Sequence, residues 1–217
     1  ERTDCPLDGR GLQLPPSPLP PISSLLPPIV DCPLHVARNE QPYRDAQSPE
    51  RGLLQQWPSG GPKLAWQTKG MGVGYSSVSV QNGRLFTMGD IGADQFVIAV
   101  SLDRKTVEWK TRIGPAWTED QYAGARGTPT ADGELIYAIG TEGDLMALEA
   151  ATGKVRWKKS LPGDFSGRMM SGWKWSESPL VDGDRLVVTP GGSGSLLVCL
   201  EKATGKEIWR TKAGPMG

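Results

Sequence analysis

The chain of 217 residues carries 24 Lys and Arg against 24 Asp and Glu, so no net field draws it to nucleic acid or to anionic lipid, and its composition gives no sign of a membrane span. Its 28 glycines and 19 prolines lie well above the usual shares of about 7% and 5%, which calls for short strands joined by many turns. Three cysteines without a close pair, Cys5, Cys32 and Cys199, and the single His35 argue against a structural zinc site and against a hydrolase triad.

Residues 1–50 hold eleven of the prolines and no periodic apolar face, so they are expected to be a disordered tail or linker. No basic specificity residue flanks the prolines, which disfavours a polyproline ligand for a partner domain. Cys5 and Cys32 would pair only in an oxidising compartment, and Cys199, in the apolar run 196–200, reads as a buried thiol. The chain starts at Glu1 without a basic and apolar leader, which leaves secretion open.

From residue 63 the sequence repeats. Asn82-Gly83, Asp132-Gly133 and Asp182-Gly183 recur at intervals of fifty and read as two-residue hairpin turns. First strands are expected over 75–80, 127–131 and 176–181, and second strands over 84–88, 134–139 and 184–189. Glycine-rich turns over 89–94, 140–144 and 191–195 lead to apolar third strands over 96–102, 145–148 and 196–200. A last turn, containing Thr152-Gly153 in the second unit and Thr204-Gly205 in the third, precedes a fourth strand ending in Trp109, Trp157 or Trp209. Four antiparallel strands per unit make a β-propeller blade.

The expectation is an all-β partial propeller over 51–217, with blades near 75–113, 126–161 and 176–213. One tryptophan is left over, because Trp66 in 63–69 reads as an extra outer strand of a closing blade. Three blades cannot close a ring when propellers typically need four to eight, so the chain is expected to be a fragment or to self-associate through its open edges.

The run Ala147, Leu148, Glu149, Ala150, Ala151, Thr152, Gly153, Lys154, Val155, Arg156, Trp157, with Glu201, Thr204, Gly205, Lys206 and Trp209 at matching offsets, resembles the tryptophan-docking motif of bacterial quinoprotein alcohol dehydrogenases. That motif has aspartate where this chain has Glu149 and Glu201, and the first unit is degenerate before Trp109. The stretches 169–173 and 177–181 are similar to PQQ-like repeat proteins labelled polyvinyl-alcohol dehydrogenases. The resemblance implies a structural role for Trp109, Thr152, Gly153, Trp157, Thr204, Gly205 and Trp209, each indole stacking on the Thr-Gly peptide of the neighbouring blade. It also implies a periplasmic or extracellular location.

If the first strands line a channel, their entering ends share a face where ligands would bind. Aligned on the turn glycines, the repeats differ there: Tyr75, Ala125 and Trp175, then Ser76, Arg126 and Ser176, then Ser77, Gly127 and Glu177. Arg126 and Glu177 must face solvent or find a partner, and an ion pair between blades would satisfy them as well as a ligand would. Trp173 and Trp175 would either floor an aromatic cofactor or a sugar ring, or pack in the core.

Two functions fit. The first is a binding or scaffold module whose face takes a protein partner or an extracellular polymer, as in outer-membrane assembly propellers with the same repeat. The second is an alcohol dehydrogenase holding PQQ and calcium, with this chain as three of its blades. The family's adjacent-cysteine disulfide has no counterpart here, and no residue matches its catalytic aspartate or calcium ligands. A lone Glu177 does not supply the six to eight oxygens that Ca²⁺ wants.

Overall fold

The computed structural model describes residues 52, 54–118, 122–169 and 172–212, so the expected tail over 1–50, with Cys5, Cys32 and His35, lies outside the described residues. The chain divides into two units. Residues 54–63 belong to the first, where Gly61 N–H closes a turn on the Pro58 carbonyl at 2.8 Å. Residues 64–217 belong to the second, which holds three four-stranded antiparallel sheets.

The first sheet is β1 (Ser79–Gln81), β2 (Arg84–Ile91), β3 (Asp94–Ser101) and β4 (Val107–Pro115). The second is β5 (Thr130–Asp132), β6 (Leu135–Ile139), β7 (Asp144–Glu149) and β8 (Val155–Ser160). After the one-turn helix α1 (Leu161–Phe165), the third is β9 (Leu180–Asp182), β10 (Arg185–Val188), β11 (Leu197–Glu201) and β12 (Glu207–Thr211). Each sheet pairs its strands in chain order, and the short first strands β1, β5 and β9 lie next to one another. These are successive blades of a partial β-propeller.

The hairpin turns differ from the sequence expectation. Gln81 pairs with Arg84 around Asn82 and Gly83, whose φ values of 48° and 72° are both positive, as a type I′ turn requires. In the other blades Asp132 pairs with Leu135 and Asp182 with Arg185, so Asp132 and Asp182 are strand residues and the turns are Gly133-Glu134 and Gly183-Asp184. There only the glycines have positive φ, 60° and 58°, which is the type II′ pattern. The regular fifty-residue interval of the glycines conceals a one-residue shift in the first blade.

Trp109, Trp157 and Trp209 do not end their strands but stand third in β4, β8 and β12. Each lies across from a small residue, Ala99, Ala147 or Cys199, next to an irregularity in the pairing, and the fourth strand runs on because the third strand still offers backbone partners. The expected turn over 89–94 shrinks to Gly92-Ala93, since Gly89 and Asp90 pair with Phe96 and Gln95. Among the described residues no strand forms over 63–69. Every third strand is already flanked by its own second and fourth strands, so none has a free side for Trp66 to extend.

Alternation along the strands fills two cores. From the second blade, Ile136, Ala138, Met146 and Leu148 face Phe86, Met88, Val97, Ala99 and Ile113 of the first. Tyr137, Ile139, Leu145 and Ala147 face Leu186, Val188, Val198 and Leu200 of the third, with Leu161 and Phe165 of α1 added. A sheet covered on both faces needs apolar residues at consecutive positions, which explains the run Leu135–Ile139. Helix α1 was hidden by Pro162 and Gly163; Ser160 caps it by accepting from Gly163 N–H at 3.1 Å, while the Asp164 carboxylate takes Ser160 N–H at 2.7 Å. Cys199 is buried with a free thiol.

Candidate functional site

The entering ends of the inner strands are stitched together by backbone and hydroxyl groups. Ser77 N–H donates to Thr128 Oγ1 at 3.0 Å, Thr128 N–H to Ser178 Oγ at 3.2 Å, and Tyr75 N–H to the Ala125 carbonyl at 2.6 Å. Ser77, Thr128 and Ser178 are therefore equivalent, and the type I′ turn of the first blade has moved its alignment by one. The corrected sets are Tyr75, Arg126 and Ser176, then Ser76, Gly127 and Glu177.

This correction explains Ser76 and Glu177 together. Ser76 Oγ accepts Met88 N–H at 3.1 Å, and Glu177 Oε1 accepts Thr189 N–H at 3.1 Å, each from the matching place beyond its second-strand start. At Gly127 a Cβ would stand 2.6 Å from the Glu177 carbonyl oxygen, so no side chain fits. Burial pushes the Glu177 carboxyl up to about 7, against the lowering effect of the Thr189 amide.

Arg126 is the centre of an aromatic cluster. Its guanidinium carbon lies 4.3 Å from the ring centroid of Trp117, 4.8 Å from Trp173 and 5.6 Å from Tyr75, and an Nη donates to the Tyr122 carbonyl at 2.6 Å. Tyr122 packs at 5.6 Å on Trp173 and at 6.4 Å on Tyr75. Tyr75, Tyr122 and Trp173 are exposed, Trp117 is buried, and Arg126 Nε is buried without a hydrogen-bond partner among the described residues. Among the described residues no carboxylate pairs with Arg126 and no cation pairs with Glu177, so the expected ion pair between blades does not form among them.

Trp117 and Tyr122 were missed from sequence, as was the buried network that holds Trp117. Asp90 accepts Trp117 N–H at 3.0 Å and the Gln95 amide at 2.8 Å, while Gln95 Oε1 accepts Thr141 N–H of the second blade at 2.9 Å. The sequence carried no clear signal for it, because Asp90 falls in the stretch read as a glycine-rich turn and the burial of Gln95 is set by the fold. Trp175 joins the core and covers Gly143, and Lys174 pairs with Glu142 at 3.0 Å. Of the candidates, the structure thus brings together Arg126, Tyr75 and Trp173, and sets Trp175 apart in the packing.

The tryptophans of the first two fourth strands, Trp109 and Trp157, lie on the turns of the next blade. Trp109 Nε1 donates to the Ala150 carbonyl at 3.2 Å, Thr111 Oγ1 donates to the Gly153 carbonyl at 2.6 Å, and a Cβ at Gly153 would stand 2.6 Å from the Trp109 ring. Trp157 Nε1 donates to the Lys202 carbonyl at 3.0 Å and covers Gly205 in the same way. Thr152 and Thr204 accept Lys154 and Lys206 N–H and donate to Glu149 and Glu201, which shapes the turns. A cleft of about 340 Å³ between the first two blades is lined by Arg84, Arg156, Glu134 and Glu149, but Arg84 is held by Glu108 and Arg156 by Glu149.

The family model described as "Outer membrane protein assembly factor BamB" matches residues 52–172 and 165–216. The chain belongs to this PQQ-like repeat family. Among solved structures, a europium-containing methanol dehydrogenase aligns at 20% identity and TM-score 0.52, over 70% of this chain and 27% of its own. The quinohemoprotein alcohol dehydrogenase of Comamonas testosteroni aligns at 16% identity and TM-score 0.50, over 70% of this chain and 23% of its own. BamB from Moraxella catarrhalis aligns at 17% identity and TM-score 0.46, over 70% of this chain and 41% of its own. The chain spans about a quarter of the dehydrogenases it resembles, and at these identities the likeness shows the propeller fold alone. No curated protein sequence matches it.

The described residues do not fit PQQ with calcium. One Glu177 oxygen is engaged by a backbone amide, and no group of three or more His, Cys, Asp or Glu side chains able to hold a metal ion exists among the described residues. Trp175, for which a cofactor floor and core packing were both open, is buried in the core between the second and third blades.

Proposed function

We propose that this chain is a binding module of the cell envelope, in which the Arg126 cluster takes an acidic, aromatic-bearing segment of a protein partner. The observation that carries this reading is a guanidinium held between indole faces without a carboxylate among the described residues, edged by three exposed rings. Such a site offers charge-assisted hydrogen bonds to a carboxylate and flat apolar surface to its neighbours. Membership in the outer-membrane assembly factor family supports a protein partner and a periplasmic setting.

In this reading the seats of Trp109 on Gly153 and of Trp157 on Gly205 act as the docking motif that fixes the blades, while the inner-strand ends carry recognition. Titration with a Phe-Asp repeat peptide, followed by tryptophan fluorescence, tests it. Saturable binding that is absent for a Phe-Lys repeat and lost in Arg126→Met supports the assignment. Equal responses to both peptides, or binding unchanged in Arg126→Met, would overturn it.

A further inference from the structure

The turn after β3 has the same backbone as the two turns that receive a tryptophan. Lys105 N–H donates to the Ser101 carbonyl at 2.8 Å, as Gly153 does to Glu149 and Gly205 to Glu201, both at 2.8 Å. Lys105 has φ 60°, beside 72° at Gly153 and Gly205. A lysine thus occupies the left-handed position that glycine holds in the other blades, and it carries the Cβ that those positions exclude. At Gly153 and Gly205 that atom would come within 2.6 Å and 2.8 Å of the seated indole. At the other end of the repeat series, Trp209 stands across from Cys199 as Trp109 does across from Ala99. No glycine turn among the described residues packs on it, and Ile208 beside it is exposed.

We propose that Lys105 closes the first blade's turn to an incoming tryptophan, so that the Trp209 face accepts a blade with glycine at this position and rejects a second copy of this chain. The face continues the interface made twice within the molecule, which identifies its occupant as another blade of the same repeat. Lys105 removes the one such turn that a second copy presents unoccupied, since Gly153 and Gly205 are already covered by Trp109 and Trp157. Lys105 thus withholds from a second copy the seat that head-to-tail contact between blades uses.

Sedimentation velocity from micromolar to near-millimolar concentration tests this on the whole chain, comparing wild type, Lys105→Gly, Trp209→Ala and the two substitutions combined. Glycine is at home at φ 60°, so Lys105→Gly retains the fold, which circular dichroism verifies. Wild type is expected to sediment as one chain throughout. Lys105→Gly should at least double its apparent mass at the highest concentration, and the double variant should return to one chain. A Lys105→Gly protein that stays at the mass of one chain, or a wild type whose self-association is abolished by Trp209→Ala alone, would overturn the proposal.

Discussion

The outer turns and the inner-strand ends of the same blades follow opposite rules. At the outer turns the second and third blades repeat one solution, a glycine at φ 72° under an indole whose N–H reaches the backbone. At the inner ends the equivalent positions hold Tyr75, Arg126 and Ser176, three chemically different side chains. The recurring glycine and tryptophan hold neighbouring blades in place, whereas the varied inner ends place the Arg126 cluster at one of them. Lys105 sits in the first region but behaves like the second.

The largest effect expected from this contrast is at the occupied seats. Gly153→Lys imposes a left-handed side chain and a collision with the Trp109 ring, and should cost about 3 kcal/mol in urea unfolding. Trp109→Ala should cost a similar amount, about 3 kcal/mol, whereas Trp209→Ala, at the exposed end, should cost about 1 kcal/mol or less. Equal losses at Trp109 and Trp209 would mean that the seats contribute little.

Glu177 offers the next effect. Its carboxyl holds a proton to about pH 7 in the folded chain, against an ordinary 4.5, so the folded chain binds the extra proton between these values. Stability contributed by this group is complete below pH 4.5 and is lost as pH rises through 7. After screening at a half-buried site, wild type should lose about 2 kcal/mol between pH 5 and pH 8, and Glu177→Gln should flatten that slope. A slope unchanged in the variant would assign the titration elsewhere.

The smallest effect is at Lys105, where glycine relieves the left-handed strain but frees the unfolded chain, so Lys105→Gly should leave stability within about 1 kcal/mol of wild type. A near-neutral Lys105→Gly beside a costly Gly153→Lys, at the same turn position, is the sharpest form of the comparison.

The blades were legible in the sequence because a period of fifty residues, glycine turns and apolar runs all point to four-stranded units. The inner-end alignment was not, because Asn82-Gly83 forms a type I′ turn where Gly133-Glu134 and Gly183-Asp184 form type II′ turns, and glycine spacing cannot register that shift. Arg126 stood out as a charge at a strand end, but its surroundings did not. Trp117 and Tyr122 come from the connection between the first two blades, where Asp90 accepts Trp117 N–H and the Trp117 carbonyl accepts Gly124 N–H. Helix α1 escaped notice because proline and glycine inside a single turn look like a loop.

The most direct test of the functional account is fluorescence titration of the whole chain with the Phe-Asp repeat peptide and, separately, with PQQ and Ca²⁺, alongside dye-linked alcohol oxidation. The account predicts saturable peptide binding that Arg126→Met abolishes, with the variant's unfolding stability held within about 1 kcal/mol of wild type. Saturable PQQ binding with alcohol turnover, and no response to the peptide, would contradict it and make the chain part of a dehydrogenase.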